Sequence, residues 1–356
     1  MKITKIDKSR IDSVNFTDIP FGRFFSDHML ICHYKNGKWL EPEIKKYGPI
    51  LMPPGAQVLH YGQSVFEGMK AFKDDNDNML LFRKRDNFRR LNKSAHRLSI
   101  PTLPEKIFFD GLDVLLSLDA QWCKKDDNYS LYVRPFIFAS GECVKASESD
   151  EYTFMIITSP TTTYYAKDIN VVIEESYTRA AQGGVGYTKA SGNYAASFYP
   201  TKIARKNNFT QVIWTDAKEH KYIEEAGTMN IWFKLRDKLI TPAISDSILA
   251  GITRDSIIKI ARGRGIEVEE RRISVDELIK AYENNELQEA FGSGTAVSIS
   301  PISSITYQDK RMILPKQENS AALELKSILQ DIQRGRINDK YNWIEKVNRS
   351  KSINLL

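Results

Sequence analysis

The pattern of apolar and polar positions divides the chain into two stretches of different character. In the first, Met79-Leu80-Leu81-Phe82 is an apolar run of strand length. Asp86 can then cap a helix whose apolar positions Phe88, Leu91, Ala95 and Leu98 recur at helical spacing, with Pro101 just beyond its end. A second helix is predicted over 105–123. Ser130–Arg134 and Tyr152–Ile157, rich in β-branched and aromatic residues, are predicted strands. The run Ser159-Pro160-Thr161-Thr162-Thr163 has turn chemistry and little periodicity. It places a linker near 158–167 and divides the chain into residues 1–160 and 161–356.

The second stretch is richer in short strands. These are Gln211–Thr215, Lys221–Glu224, Met229–Phe233 and Leu239–Thr241, with Arg236-Asp237 as a hairpin turn. A helix is predicted from about Thr253 to Arg262, stopped by Gly263. Another starts at Ser274, which has capping-box spacing to Glu277, and a last one covers roughly 320–333. No βαβ alternation and no Gly-x-Gly-x-x-Gly opening is evident, so the pattern reads as α+β.

Composition narrows the picture. A chain of 356 residues is long for one core, so two domains are the default. Hydrophobic residues make up 42% and charged residues 27%, ordinary for a soluble protein. A net charge of +6 is small for this length and does not by itself indicate nucleic acid. Cys32, Cys123 and Cys143 form neither a metal-ligand spacing nor a disulfide framework, which fits a reducing compartment. The N-terminal residues lead into no apolar stretch, and no run reaches the ~20 apolar residues that span a bilayer. A soluble cytoplasmic protein that binds neither membrane nor nucleic acid, and holds no metal, is expected.

Four segments carry candidate chemistry. In Tyr187-Thr-Lys189-Ala-Ser-Gly192-Asn193-Tyr194 a lysine sits among small residues. In a confined, partly apolar site such an amine can form a Schiff base with a carbonyl, although by itself the segment more readily describes a surface-loop lysine. Glu225 sits between two predicted strands, where its carboxylate can keep a ring nitrogen protonated or simply face solvent. Gly251-Ile252-Thr253-Arg254-Asp255 opens a helix whose first N–H groups suit a phosphate, as do those of most helices. Phe291-Gly-Ser-Gly294-Thr295-Ala296 reads as a small-residue loop able to hold phosphate or carboxylate. The basic run Arg83 to Arg97 lacks aromatic interleaving and reads mainly as a solvated helix face.

In combination and in order, these segments resemble the fold-type IV pyridoxal-phosphate enzymes, most closely the branched-chain amino acid aminotransferases. The resemblance begins at Leu59-His-Tyr61-Gly-Gln-Ser-Val-Phe66-Glu-Gly68-Met-Lys-Ala. It continues through Phe82-Arg-x4-Phe88-Arg-Arg90-Leu-x2-Ser94-Ala95 and Leu131-Tyr132-Val-Arg134-Pro135, then the lysine segment, Glu225-Ala-Gly-Thr-Met-Asn230, Gly251–Asp255 and Phe291–Ala296. It covers about residues 20–315. It implies an α+β, two-domain fold: a smaller N-terminal α/β domain, a larger sheet-rich C-terminal domain with the Schiff-base lysine, and pyridoxal 5'-phosphate at their interface.

The resemblance also implies roles. Lys189 would hold the cofactor and move the proton. Tyr194 would meet the ring hydroxyl oxygen and Glu225 the pyridine nitrogen, with Thr228 beside it. Arg90, the N–H groups of Ile252 and Thr253, and Thr295 would hold the phosphate. Tyr61, Phe66, Tyr132, Arg134, Tyr164, Thr295 and Ala296 would line the substrate side, partly across a homodimer. The substrates would be L-leucine, L-isoleucine or L-valine with 2-oxoglutarate. One departure is informative: mammalian relatives carry a Cys-x-x-Cys pair where this chain has Val297 and Ser300, so no thiol switch is expected. Rival readings are another enzyme of the same fold (a D-amino acid aminotransferase or an aminodeoxychorismate lyase), a basic binding protein using the Arg83–Arg97 helix, or a non-catalytic relative.

Overall fold

The computed structural model describes residues 1–17, 19–162, 169–315 and 320–348. Its contacts fall into two units, Met1–Tyr164 with Thr188–Gly192 and Asp331–Leu356, and Tyr165–Tyr187 with Asn193–Gln330.

The first unit is built on strands β1 (Lys2–Ile3), β2 (His28–Lys35), β3 (Lys38–Trp39), β4 (Glu43–Lys46), β5 (Ser64–Phe66), β6 (Met69–Lys73), β7 (Met79–Phe82), β8 (Ser130–Ala139) and β9 (Tyr152–Thr161). Its helices are α1 (Gln57–Tyr61), α2 (Lys84–Arg97) and α3 (Glu105–Leu118). The main strand order is β1-β4-β2-β9-β8-β6-β7, with β3 beside β2 and β5 beside β8. The central strands are buried on both faces, which is why they read as nearly unbroken apolar runs. Leu30, Val133 and Phe154 meet Leu91, Phe108 and Leu112 of the helices. Met29, Ile31, Phe138 and Met155 form a smaller cluster of their own.

Three boundaries differ from expectation. Helix α2 starts two residues before Asp86: Arg83, with φ 54°, is its N-cap, and Asp86 sits in the first turn, where its carboxylate accepts from Arg83 Nε at 2.7 Å. Helix α3 ends at Leu118, and a separate short turn of 3₁₀ helix follows at Ala120–Trp122. Strand β9 runs through Ser159-Pro160-Thr161, expected to be linker. Pro160 is tolerated because it pairs with Leu131 of β8 while β2 pairs with β9 only as far as Ile156.

The second unit contains β10 (Ile169–Ile173), α5 (Phe198–Lys206), β11 (Gln211–Thr215), β12 (Ile223–Ala226), β13 (Met229–Leu235), β14 (Lys238–Thr241), α6 (Ile252–Gly263), β15 (Glu267–Glu270), α7 (Val275–Glu283), β16 (Leu287–Gly294), β17 (Ser298–Tyr307) and β18 (Lys310–Ile313), with most of α4 (Ser191–Ala195) and α8 (Ala321–Gln333), whose first and last residues respectively belong to the first unit. The order β12-β11-β10-β17-β16-β13 closes on itself, because β12 also pairs with β13. The result is a barrel, a sheet with no free edge along that path. Its core holds Ile213, Ile231, Phe233, Ile302 and Ile305.

Several elements correct the sequence reading. β10 pairs in parallel with β11 across α5, and β14 with β15 across α6, so two βαβ units are present where none was evident. The strand expected at Lys221–Glu224 lies two residues later. Phe291–Gly294 is strand, not loop, and only Thr295–Val297 turns the chain into β17. Small residues suit that strand because Gly292 lies against Met229, whose sulfur would be 2.6 Å from any Cβ added there. Helix α6 includes Gly263; the residue that ends it is Gly265 at φ 80°. Ser274 does cap α7, its hydroxyl accepting the Glu277 N–H at 3.0 Å.

The chain then returns to the first sheet. Strand β19 (Ile344–Lys346) pairs antiparallel with β7. Buried Arg334 donates from Nη2 to the carbonyls of Asp127 at 2.6 Å, Tyr129 at 3.2 Å and Asp126 at 3.3 Å. The expected cut at 160/161 therefore differs from the observed grouping: the first segment runs to residue 164, and both β19 and Thr188–Gly192, whose Ala190 bridges Val65, belong with the first unit. No helix among the described residues is long and apolar enough to cross a membrane.

Candidate functional site

In the first unit, strand β5 pins the lysine segment. The Lys189 carbonyl accepts the Phe66 N–H at 3.0 Å, and the Lys189 N–H donates to Ser94 Oγ of α2 at 2.9 Å. These bonds fix the direction in which the side chain leaves the backbone, and Nζ lies 4.7 Å from the centre of the Phe66 ring. This is a half-buried amine against an aromatic face, not a surface-loop lysine.

Tyr132 and Arg134 are two apart on β8 and so share a face. Arg134 Nη2 donates to the Tyr132 hydroxyl at 3.0 Å, and its guanidinium lies 4.5 Å from the Phe66 ring centre. Phe21 packs edge-on against Tyr132 at 4.9 Å. Phe66, Tyr132, Arg134 and Lys189 thus come together. Glycine is required at 68, since a Cβ there would lie 2.0 Å from the Tyr132 hydroxyl.

Arg90, expected at a phosphate, has a partner the sequence reading missed. Its Nε and Nη2 donate to the two oxygens of fully buried Glu67 at 2.7 and 2.9 Å, a two-pronged charge-assisted contact. Three successive residues therefore serve this cluster: Phe66 faces the amine, Glu67 holds the arginine and Gly68 admits the tyrosine. Tyr61 does not join them. It ends α1, is 45% exposed, and its hydroxyl donates to the Val144 carbonyl. Tyr164 lies outside the described residues.

In the second unit, Glu225 lies within β12, not at the turn after it, and is 4% exposed. Oε1 accepts the Leu249 N–H at 2.8 Å and lies 3.4 Å from Asn230 Nδ2. Oε2 lies 2.9 Å from Nε of Arg179, an ion pair between two buried groups. Asn230 is opposite Glu225 in the ladder, and Ser293 of β16 is opposite Asn230. This register puts the β12–β13 turn, which carries exposed Thr228, at the same barrel end as the β16–β17 turn with half-buried Thr295 and Ala296.

The start of α6 reaches that end too. Asn230 Nδ2 donates to the Leu249 carbonyl at 2.9 Å, and a Cβ at Gly251 would lie 1.9 Å from Asn230 Oδ1. Gly251 is the N-cap and supplies no side-chain cap to the first turn, where Ile252 and Thr253 are buried. A helix N-terminus favours negative charge. Glu225, Thr228, Ile252, Thr253 and Thr295 are thus gathered at one barrel end. Tyr194, half-buried, lies in α4.

Sequence reasoning missed Glu67, Ser94, Arg179 and Asn230. Only Glu67 left a local trace, a carboxylate inside Val-Phe-Glu-Gly-Met that burial must neutralise. Arg179 sits in the aperiodic stretch after β10, where no pattern marks it. Among the described residues no cluster suited to a metal ion occurs.

Comparison with known proteins agrees with this arrangement. The family model for amino-transferase class IV matches residues 64–305. A protein named probable branched-chain-amino-acid aminotransferase from Staphylococcus aureus is 44% identical over 335 residues, covering 92% of this chain and 93% of its own. Branched-chain-amino-acid aminotransferase 2 of Bacillus subtilis is 40% identical over 352 residues, covering 98% and 96%. The crystal structure of the Escherichia coli branched-chain amino acid aminotransferase aligns with a TM-score of 0.73 at 27% identity, over 89% of this chain and 99% of that one.

Proposed function

Because the chain belongs to the class IV aminotransferases, we propose that it is a branched-chain amino acid transaminase using pyridoxal 5'-phosphate. It passes the amino group of L-leucine, L-isoleucine or L-valine to 2-oxoglutarate. The observation that carries this reading is the grouping of Lys189, Phe66, Tyr132 and Arg134. It sets a primary amine beside an aromatic wall that suits an aliphatic side chain, with a guanidinium able to meet the second carboxylate of glutamate.

The residues present fit the cofactor. Glu225 is a buried carboxylate with one oxygen on a backbone N–H, suited to a positively charged ring nitrogen. The first turn of α6, with Ile252 and Thr253, would hold the phosphate, and Thr295 and Arg90 are further candidates for it. Tyr194 would meet the ring hydroxyl oxygen. When bound, the cofactor supplies an aldehyde that joins an amine and a ring that accepts the charge left at the substrate carbon.

The remaining work falls to this chain. Lys189 would hold the cofactor, and its amine, once free, would take the proton from the substrate carbon as base and deliver it to the cofactor carbon as acid. The Phe66 ring covers one side of that amine. Glu225 would be the partner of the ring nitrogen. Arg134 and the Tyr132 hydroxyl orient the acidic co-substrate, while the ring faces of Phe66 and Tyr132 contact the aliphatic one. Thr295 and Ala296 would border the substrate; Tyr61, which stands apart from the cluster in the single chain, would reach it only across a homodimer, and Tyr164 is a further candidate. We assign the active form as a cytoplasmic homodimer.

The test is a visible spectrum of purified protein with pyridoxal 5'-phosphate, before and after L-leucine, in native and Lys189→Ala forms, with glutamate formation measured in parallel. Native protein should show a band that L-leucine removes, and Lys189→Ala should lack it. Faster turnover of D-alanine or aminodeoxychorismate than of L-leucine would sink the branched-chain assignment.

A further inference from the structure

Glu225 is useful at a ring nitrogen only while it stays an anion and keeps its direction, and burial works against both. Oε1 of this group, 4% exposed, accepts the Leu249 N–H and lies at a longer distance from Asn230. Oε2 meets Arg179. Its side chain is 8% exposed and its Nε stands 2.9 Å from Glu225 Oε2.

Arg179 is itself fixed from the opposite side. Nη2 donates to the carbonyls of Gly186, at 3.2 Å, and Ser247. Gly186 permits that close approach, since a Cβ there would lie 2.8 Å from Ser247 Cα and 2.9 Å from the Asp246 carbonyl. The guanidinium therefore cannot follow a moving carboxylate; the carboxylate must come to it.

A second glutamate stands nearby. β11 pairs Trp214 with Glu225 and Thr215 with Ile223, leaving Glu224 as the extra residue of a bulge, a device that re-aims side chains. Glu224 accepts from Ser247 Oγ through Oε1, while Oε2 is buried without a hydrogen-bond partner. Burial pushes its pKa up, against the pull of the Ser247 hydroxyl and the Arg179 charge. Of the two carboxylates, it is Glu225 that holds the ion-pair contact.

We propose that Arg179 is a positioning residue for the transamination chemistry, holding Glu225 as an oriented anion so that the proton stays on the cofactor ring. This rests on the cofactor reading given above. The charge argument has a definite sign. Arg179 touches Glu225, whereas a ring nitrogen bound on the carboxylate's other side is farther away. Interaction energy falls with distance, so the arginine lowers the basicity of Glu225 more than that of the ring. Without it the shared proton moves toward Glu225 and the ring becomes a poorer electron sink.

The experiment compares native protein with Arg179→Met, Arg179→Lys, Glu225→Gln and the Arg179→Met/Glu225→Gln double variant. Four quantities are read: the dissociation constant for pyridoxal 5'-phosphate from tryptophan quenching, the absorption spectrum of the bound cofactor, kcat and KM for L-leucine, and the melting temperature without cofactor. Arg179→Met should lower kcat about tenfold or more and alter the spectrum, with KM changing less. Arg179→Lys should recover part of both. On a Glu225→Gln background, Arg179→Met should change the spectrum no further, because its effect runs through that carboxylate.

An unaltered spectrum and kcat in Arg179→Met overturns the proposal. So does an equal spectral change with and without Glu225. If Arg179→Met does not fold, Arg179→Lys carries the same comparison, and native behaviour in that variant overturns the requirement for the two-sided guanidinium. If the native protein itself does not bind the cofactor, the functional reading falls and this proposal with it. If the native protein binds while the variants match it, only the proposal falls.

Discussion

Replacing Glu67 by alanine isolates the pair it makes with Arg90. Glu67 is 0% exposed and the Arg90 side chain 10%, so truncation leaves a largely buried guanidinium without the two carboxylate oxygens it bonds. At an effective dielectric of ~20 and a charge separation of ~4 Å, the lost attraction is about 4 kcal/mol. Breaking buried pairs on one side usually costs about 3–5 kcal/mol, since the surviving charge is uncompensated. For domains of about 150–250 residues each kcal/mol moves the melting temperature by roughly 2–4 °C, so a fall on the order of 10 °C follows. Circular dichroism melts of cofactor-free protein at pH 7 measure it without involving catalysis. The companion is Glu67→Leu with Arg90→Met, which removes both charges and keeps the volume, and which should recover most of the loss. A Glu67→Ala melt within about 2 °C of native, or a double variant no more stable than the single, would refute the reasoning.

Two further outcomes are expected. Gly68→Ala would put a methyl group 2.0 Å from the Tyr132 hydroxyl, so Tyr132 must turn away from Arg134; KM for 2-oxoglutarate should rise more than KM for L-leucine, read from steady-state kinetics. Glu289 concerns stability in acid. Burial pushes its pKa up, but Ser320 Oγ, the N–H groups of Ala321 and Ala322, and Lys234 outweigh this and hold it below its ordinary 4.5. A lowered folded pKa gives stability that is complete above the unfolded value and lost as pH falls through the folded one. The gap between native protein and Glu289→Gln in urea melts should therefore be constant near neutrality and narrow below about pH 4.5; a gap independent of pH would contradict it.

What the sequence disclosed depended on how local each signal was. The helix carrying Phe88, Leu91 and Ala95, the Ser274 cap and the Arg236-Asp237 hairpin involve residues a few positions apart, and all three were legible. Phe291–Gly294 looked like loop because small residues usually mark turns, whereas here they let a strand pass Met229. The residue type of Asp86 suits a cap, yet Arg83 holds the left-handed position and uses Asp86 as its partner. The parallel pairing of β10 with β11 was hidden because an aperiodic stretch and the lysine segment separate β10 from α5. The site divides the same way. Lys189, Phe66, Tyr132 and Arg134 were named from motif order and do meet. The contacts that discipline the site, Glu67 to Arg90 and Arg179 to Glu225, join residues far apart in the chain, and no local pattern records them.

The return of β19 to the edge of β7 has a consequence for how the molecule is made. During synthesis the first sheet lacks its border strand until residues beyond 343 have left the ribosome, by which time the barrel strands have long since emerged. The carbonyls of Asp126, Asp127 and Tyr129 likewise wait for Arg334. The part translated first is thus the part finished last, and a premature stop codon near the 3' end of the message would injure the oldest portion of the polypeptide rather than the newest.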